Sequence, residues 1–227
     1  MTTSTALPYS DLPHLLSLQT GDEKHDRSVH STLDVLWVLY DRLLDVDPSR
    51  LDDPERDRFL LSKGHGPMAF YAVLAAKGFI PVESLAGFGD SDSLLGFHPD
   101  HTLVPGVEIS SGSLGHGLPI AAGMSLALDA RGIDGARVFC LVGDGELDEG
   151  SNWEAVQLAG RLSLSRLTAI VVDNASGTYG WPGGVERRFE IEGWDVVRVD
   201  GRDHDALEAA LDARGERPRC VVAEVIA

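Results

Sequence analysis

From residue 136 to the end of the chain, short apolar runs and helical segments take turns. ARVFCLV (136–142), RLTAIVVD (166–173), WDVVRVD (194–200) and RCVVAEVI (219–226) are separated by stretches such as SNWEAVQLAGRL (151–162) and HDALEAALDAR (204–214). Runs this short, rich in Val and Ile and almost continuously apolar, suit strands covered on both faces, and the segments between them have helical spacing. A parallel neighbour can be reached only through a crossover, which here carries a helix each time. The expected fold class is therefore α/β: an open, mostly parallel sheet with helices on both faces.

The remaining sequence is compatible with a single domain of this kind, since 227 residues suffice for a full hydrophobic core. Residues 1–21 read as a loosely held lead-in and 22–227 as the domain. Apolar residues at helical spacing predict a helix over 29–44, and PMAFYAVLAAK (67–77) predicts a second, with Pro at its start and Gly78 past its end. The Pro- and charge-rich 45–58 reads as a surface loop. Residues 87–117 are dense in glycine and bury little by themselves, and a loop this long within a compact domain is expected to be functional. LPIAAGMSLALDA (118–130) is a small-residue helix suited to close packing on a sheet.

A formal net charge of −17 repels a phosphate polyanion, so nucleic acid is not an expected partner. A phosphorylated small molecule would need a metal or backbone donors. Cys140 and Cys220, both inside strand-like runs, read as core residues. The first twenty residues have no basic leader or apolar segment and no run is long enough to span a bilayer, so a cytoplasmic location without membrane contact is expected.

In open parallel sheets ligands lie beyond the carboxyl ends of the strands. Asp144 stands there, after LVG, between Gly143, which permits the turn, and Gly145, which removes a side chain from the path of a ligand. Ser151-x-x-Glu154 has the pattern of a capping box for the next helix, whose exposed N–H groups favour a phosphate oxygen. Asn174 ends the following strand-like run, VVDN, thirty residues after Asp144, the length of one βαβ unit. A carboxylate and an amide oxygen on one sheet edge suit a hard divalent cation, Mg²⁺ or Ca²⁺, that also takes phosphate oxygens. A metal–diphosphate site is expected.

GDGELDEGSNWEA followed by AIVVDN resembles the thiamine diphosphate motif of transketolases. LSKGHGPMAFYAVLAAKG, PGVEISSGSLGHGLPIAAGMSLAL and GWDVVRVDGRDHDALEAAL extend the resemblance, in the same order, over residues 22–227. It is nearest to the first, diphosphate-binding (PP) domain of members split over two polypeptides. The resemblance implies thiamine diphosphate as cofactor, with Asp144, Asn174 and the backbone carbonyl of Ser176 as metal ligands. It implies His65 near the diphosphate, Gly112, Ser113 and Leu114 against the cofactor with Leu114 packed on its ring, and His116 beside the pocket. Gly143, Asp144, Gly145 and Glu146 would form the turn against the cofactor. His98 and His25 match substrate-side histidines. Glu146 and Asp148 have no individual duty, and a solvated or capping side chain is expected for both. His14, His30, His101 and His204 have no assigned role.

Thiamine chemistry requires removal of the thiazolium C2 proton, after which the ring serves as an electron sink. In this family a glutamate from a second, pyrimidine-binding domain induces the tautomer that takes that proton, and this sequence has no segment resembling that domain. Glu149 corresponds to the residue that pairs with that glutamate across the subunit boundary, where two crowded carboxyls share a proton. The implied activity is transfer of a two-carbon ketol unit from a ketose donor to an aldehyde acceptor, within a heterotetramer completed by a pyrimidine-domain subunit. The segments EKHDRSVHS and ASGTYGWPGG depart from the usual pattern, which points toward a specialised substrate, as in secondary metabolism. The alternatives are a deoxyxylulose-phosphate synthase-like or 2-oxo acid decarboxylating enzyme and a non-catalytic regulatory chain. A nicotinamide enzyme is disfavoured because neither GDGELDEG nor GSLGHG satisfies G-x-G-x-x-G.

Overall fold

A computed structural model describes residues 6–21, 26–63, 66–177 and 181–225. Among the described residues, five parallel strands form one open sheet in the order β1-β2-β3-β5-β4: β1 Arg58–Leu61, β2 Val138–Gly143, β3 Leu167–Asp173, β4 Asp195–Asp200 and β5 Arg219–Glu224. The helices are α1 Leu12–Ser17, α2 Asp26–Val38, α3 Met68–Ala76, α4 Gly117–Ala130, α5 Gly150–Arg161, α6 Gly184–Ile191 and α7 His204–Asp212. A π-helical turn, Leu39–Leu43, prolongs α2.

Strand residues alternate between two apolar layers, as the pleat requires. Phe139, Leu141, Ile170, Val172 and Val221 meet α1, α2, α3 and α7 on one face, while Cys140, Val142, Ala169, Val171 and Val222 meet α4, α5 and α6 on the other. The expected α/β sheet covered on both faces is what forms, and both cysteines are buried thiols within it.

β1 is the strand that sequence reading missed. Its first residue, Arg58, reads as the end of the charged loop, and the three apolar residues after it are too short a run to stand out. Packing decides it: Phe59, Leu60 and Leu61 are buried, and Asp57 accepts from the Arg137 backbone N–H at 2.7 Å and its guanidinium at 2.9 Å, clamping β1 beside β2.

Within the expected lead-in, residues 7–19 pack against the core. Leu12 and Leu15 are fully buried, and the Leu7 amide donates to the Ala76 carbonyl. The Tyr9 hydroxyl donates to Asp34 Oδ1 at 2.6 Å. Burial, reinforced by that hydrogen bond, pushes the Tyr9 phenol up to about 12. A phenol whose folded pKa exceeds its unfolded value stabilises the fold fully below about pH 10 and loses that contribution as pH rises through about 12. Alkaline unfolding of Tyr9→Phe should therefore begin at a higher pH, relative to its own neutral stability, than that of the wild type. Parallel curves over pH 9 to 12 would contradict this.

Helix α5 approaches the turn after α6 so closely that a Cβ on Gly160 would overlap the Glu192 carbonyl oxygen. Backbone cannot retreat as a flexible side chain can, so Gly160→Ala should cost about 3 kcal/mol. That corresponds to a fall of roughly 6–12 °C in melting temperature, readable by calorimetry.

Candidate cofactor and cation site

Parallel register brings three strand ends to one edge. Gly143 lies beside Val172, so the residue after β2 stands next to the end of β3, and the Asp144 amide donates to the Val172 carbonyl. Ser62 and Lys63 follow β1 on the other side of β2, their amides donating to the Leu141 carbonyl.

The Asp144 carboxylate is 7% exposed and gathers the loop after β3. Its Oδ2 accepts from the backbone amides of Ser176 at 2.6 Å and Gly177 at 2.9 Å, and its Oδ1 from the Ser176 hydroxyl. A Cβ on Gly145 would stand 3.3 Å from the Ser176 carbonyl oxygen, so glycine there lets the turn and the loop close on one another. Asn174 donates its Nδ2 to Ser31 Oγ at 3.3 Å. Its Oδ1 is buried and accepts no hydrogen bond among the described residues. An unsatisfied buried amide oxygen costs about 1–3 kcal/mol, so this one, at a strand end on the same sheet edge as Asp144, is a candidate ligand-binding atom. Among the described residues no three His, Cys, Asp or Glu side chains converge. A cation here would therefore rely on one carboxylate with neutral amide and peptide oxygens, a donor set that fits a hard divalent ion sharing its charge with a phosphate.

Glu146 is the main departure from expectation. Instead of a solvated or capping side chain, it is 3% exposed and ties three loops together. Its Oε1 accepts from the Ser62 hydroxyl and from the Gly115 amide at 2.9 Å, and its Oε2 from the Gly143 amide at 3.3 Å. Ser62 Oγ in turn accepts from the Gly117 amide at 3.0 Å. Burial raises the Glu146 pKa, opposed by the three hydrogen bonds and by Lys63. Lys63 itself is brought down to about 8 by burial, against the pull of Asp144 and Glu146. Its Nζ donates to Ser31 Oγ at 3.0 Å.

The expected capping box does not form. α5 begins at Gly150 with Glu149 as its N-cap residue, and no side chain caps it. Ser151 instead donates its hydroxyl to the Gly115 carbonyl at 2.7 Å, which holds the GSLG segment against the start of α5. Gly115, at φ +83°, has Glu149 Cβ and the Ser151 hydroxyl where its own Cβ would be.

The structure thus brings together Gly143, Asp144, Gly145, Glu146, Asn174 and Ser176 with Gly115 of the glycine-dense loop. His98 is exposed and packs on Gly112, where a Cβ would come within 2.9 Å of its ring. Leu114 is half-buried; Ser113, His116 and Glu149 are exposed, with His116 at the N-cap of α4. His25 and His65 lie outside the described residues. Of the unassigned histidines, His204 bonds Asp34 at 2.8 Å and His101 bonds Ser110 at 2.9 Å. The departing segment after Asn174 is anchored by Arg188, whose guanidinium stands 3.5 Å from the ring centre of Trp153 and 3.9 Å from that of Trp181. Sequence reading missed Ser31, Ser62 and Lys63. Recognising RFLL as a strand would have placed Ser62 and Lys63 on the ligand edge.

Residues 17–226 match the family model described as transketolase, thiamine diphosphate binding domain. A Rhodococcoides fascians protein named ferredoxin fas2 is 54% identical over 222 residues, covering 97% of this chain and 73% of that protein. An apulose-4-phosphate transketolase subunit of Actinobacillus succinogenes is 37% identical over 201 residues, covering 85% of this chain and 72% of that one. The crystal structure of transketolase from Campylobacter jejuni superposes with a TM-score of 0.77 at 26% identity, covering 96% of this chain but 38% of that chain. With its parallel sheet, its strand-tip Asp and Asn and a match over nearly its whole length, this chain belongs to the transketolase family, to which it contributes a thiamine diphosphate binding domain.

Proposed function

We propose that this chain is the diphosphate-binding subunit of an enzyme that uses thiamine diphosphate and Mg²⁺, or Ca²⁺ in its place, to transfer a two-carbon ketol unit from a ketose to an aldehyde. It is complete only with a pyrimidine-domain partner chain, two copies of each making a heterotetramer. The single observation carrying this reading is the buried Oδ1 of Asn174, which accepts no hydrogen bond among the described residues, on the same sheet edge as the Asp144 carboxylate. When bound, the coenzyme supplies an electron sink for carbon–carbon bond cleavage, and the cation offsets the charge of its diphosphate.

Asp144, Asn174 and the Ser176 carbonyl are the residues that would hold the cation. The amides and glycines of the 143–146 turn and of 112–115 give close backbone approach, and Leu114 offers an apolar surface to the ring. His65 serves the diphosphate side, His98 and His25 the substrate side, and His116 the pocket rim. Glu149, exposed at the start of α5, makes no side-chain hydrogen bond among the described residues that would withdraw it from a partner's carboxyl group. The reading as one chain of a split enzyme is supported by the Actinobacillus succinogenes relative, which is named as a transketolase subunit and of which this chain spans 72%.

Mixing this chain with a pyrimidine-domain chain should give ketol transfer that needs both thiamine diphosphate and Mg²⁺ and stops on chelation. Full transfer by this chain alone would refute the partner requirement. Release of CO2 from pyruvate, with no transfer from ketoses, would replace this reading with the decarboxylating one. A fully active complex carrying Asp144→Ala would favour a regulatory role.

A further inference from the structure

Resting on the reading of Asn174 as a cation ligand, we propose that Ser31 and Lys63 are a positioning pair that sets the orientation of the Asn174 side-chain amide. Three elements meet at the Ser31 hydroxyl: α2, which carries it, the segment after β1, which carries Lys63, and the end of β3, which carries Asn174. Ser31 Oγ accepts from Lys63 Nζ at 3.0 Å and from Asn174 Nδ2 at 3.3 Å. An amide group has two orientations half a turn apart, nearly equal in shape and opposite in polarity, and only its neighbours distinguish them. An ammonium group can donate but never accept. With Lys63 and the amide nitrogen both directed at the hydroxyl, its two lone pairs are used and the amide oxygen is left on the other side. That oxygen is the buried atom accepting no hydrogen bond among the described residues. The reversed amide would present N–H groups where a cation requires an acceptor.

Lys63 is held for this task along its length. A Cβ on Gly143 would stand 3.7–4.0 Å from Lys63 Cγ, Cδ and Cε, so the aliphatic stem lies over the glycine that opens the Asp144 turn. The same stem therefore links the Asp144 turn to the Asn174 amide. A partner that orients a metal ligand in this way typically changes metal affinity 10–100-fold when removed.

The test uses the full chain with Ser31→Ala, Ser31→Thr, Lys63→Met and Asn174→Ala. In the cofactor-free protein, hydrogen exchange of the Asn174 side-chain amide, followed by NMR, should quicken about five- to tenfold in Ser31→Ala and stay near wild type in Ser31→Thr. Mn²⁺ affinity of the complex reconstituted with the pyrimidine-domain chain, in the presence of thiamine diphosphate and followed by electron paramagnetic resonance, should fall about 10–100-fold in Ser31→Ala and Lys63→Met. Adding Ser31→Ala to Asn174→Ala should cost no more, because the pair acts through that side chain. Unchanged amide exchange in Ser31→Ala, or a Mn²⁺ loss that persists undiminished in the Asn174→Ala background, would overturn the proposal. Wild-type Mn²⁺ affinity in Asn174→Ala would instead refute the cation site itself. The exchange measurement would still decide whether Ser31 and Lys63 orient the amide.

Discussion

Glu146→Ala is expected to lower the melting temperature by about 10 °C. The carboxyl group accepts from Ser62, Gly115 and Gly143 in a site 3% exposed, and its removal leaves all three donors facing a void. Lys63, largely buried and drawn toward a charge that Glu146 supplies, loses one of its two compensating carboxylates. Breaking a buried, hydrogen-bonded charged group costs about 3–5 kcal/mol, because the partners left behind are neither solvated nor paired. A domain of this size loses roughly 2–4 °C per kcal/mol, which gives the expected shift. Glu146→Gln keeps the volume and one acceptor but turns the other into a donor facing donors, and should fall between. Calorimetry checks both variants, and a drop of less than about 2 °C for Glu146→Ala would show that the network contributes little. A second signature separates this from ordinary core damage. Because Glu146 ties Gly115 to the Asp144 turn, limited proteolysis should open the glycine-dense loop first.

Asp144→Ala should behave in the opposite way, with a small loss of stability and a large loss of ligand affinity. Its donors, Ser176 and Gly177, lie on an exposed loop where water can replace the lost acceptor, so about 1–2 kcal/mol is expected. Binding of thiamine diphosphate with Mg²⁺ to the complex should weaken at least about 100-fold, beyond what loss of an orienting partner alone causes. Isothermal titration of the reconstituted complex measures this, with the melting temperature as control. Near-normal affinity would remove Asp144 from the cation site and leave it as a loop anchor. Comparing the two acids thus tests whether the GDGE turn divides into one residue that ties the surrounding loops together and one that would hold the cation.

How much of this is legible in the sequence varies with the kind of interaction. β2, β3, β4 and β5 are readable because each is a run of Val, Ile and Leu flanked by helical periodicity, a local pattern that survives without tertiary context. β1 is not, since four residues carry too little pattern and its place depends on Arg137, eighty positions away, donating to Asp57. Asp144 and Asn174 stand out because glycine spacing and strand ends mark them locally. Glu146 does not, because an acid among acids looks solvated in one dimension. Its burial depends on Ser62 and Gly115, brought in from 84 and 31 residues away. Ser151 reads as a cap for a similar reason: the Gly115 carbonyl that claims its hydroxyl is not near it in sequence.

The order of residues, by itself, determined the α/β class, the two-sided covering of the sheet and the strand ends that carry Asp144 and Asn174. Each of these follows from short-range periodicity and from the conformational freedom of particular glycines. Only the folded chain decided that Glu146 is walled in while Asp144 gathers the loop after β3, that residues 7–19 pack against the core, and that among the described residues the Asn174 amide oxygen accepts no hydrogen bond. Those outcomes depend on hydrogen bonds between residues far apart in the chain, and a linear pattern does not encode the distance between them.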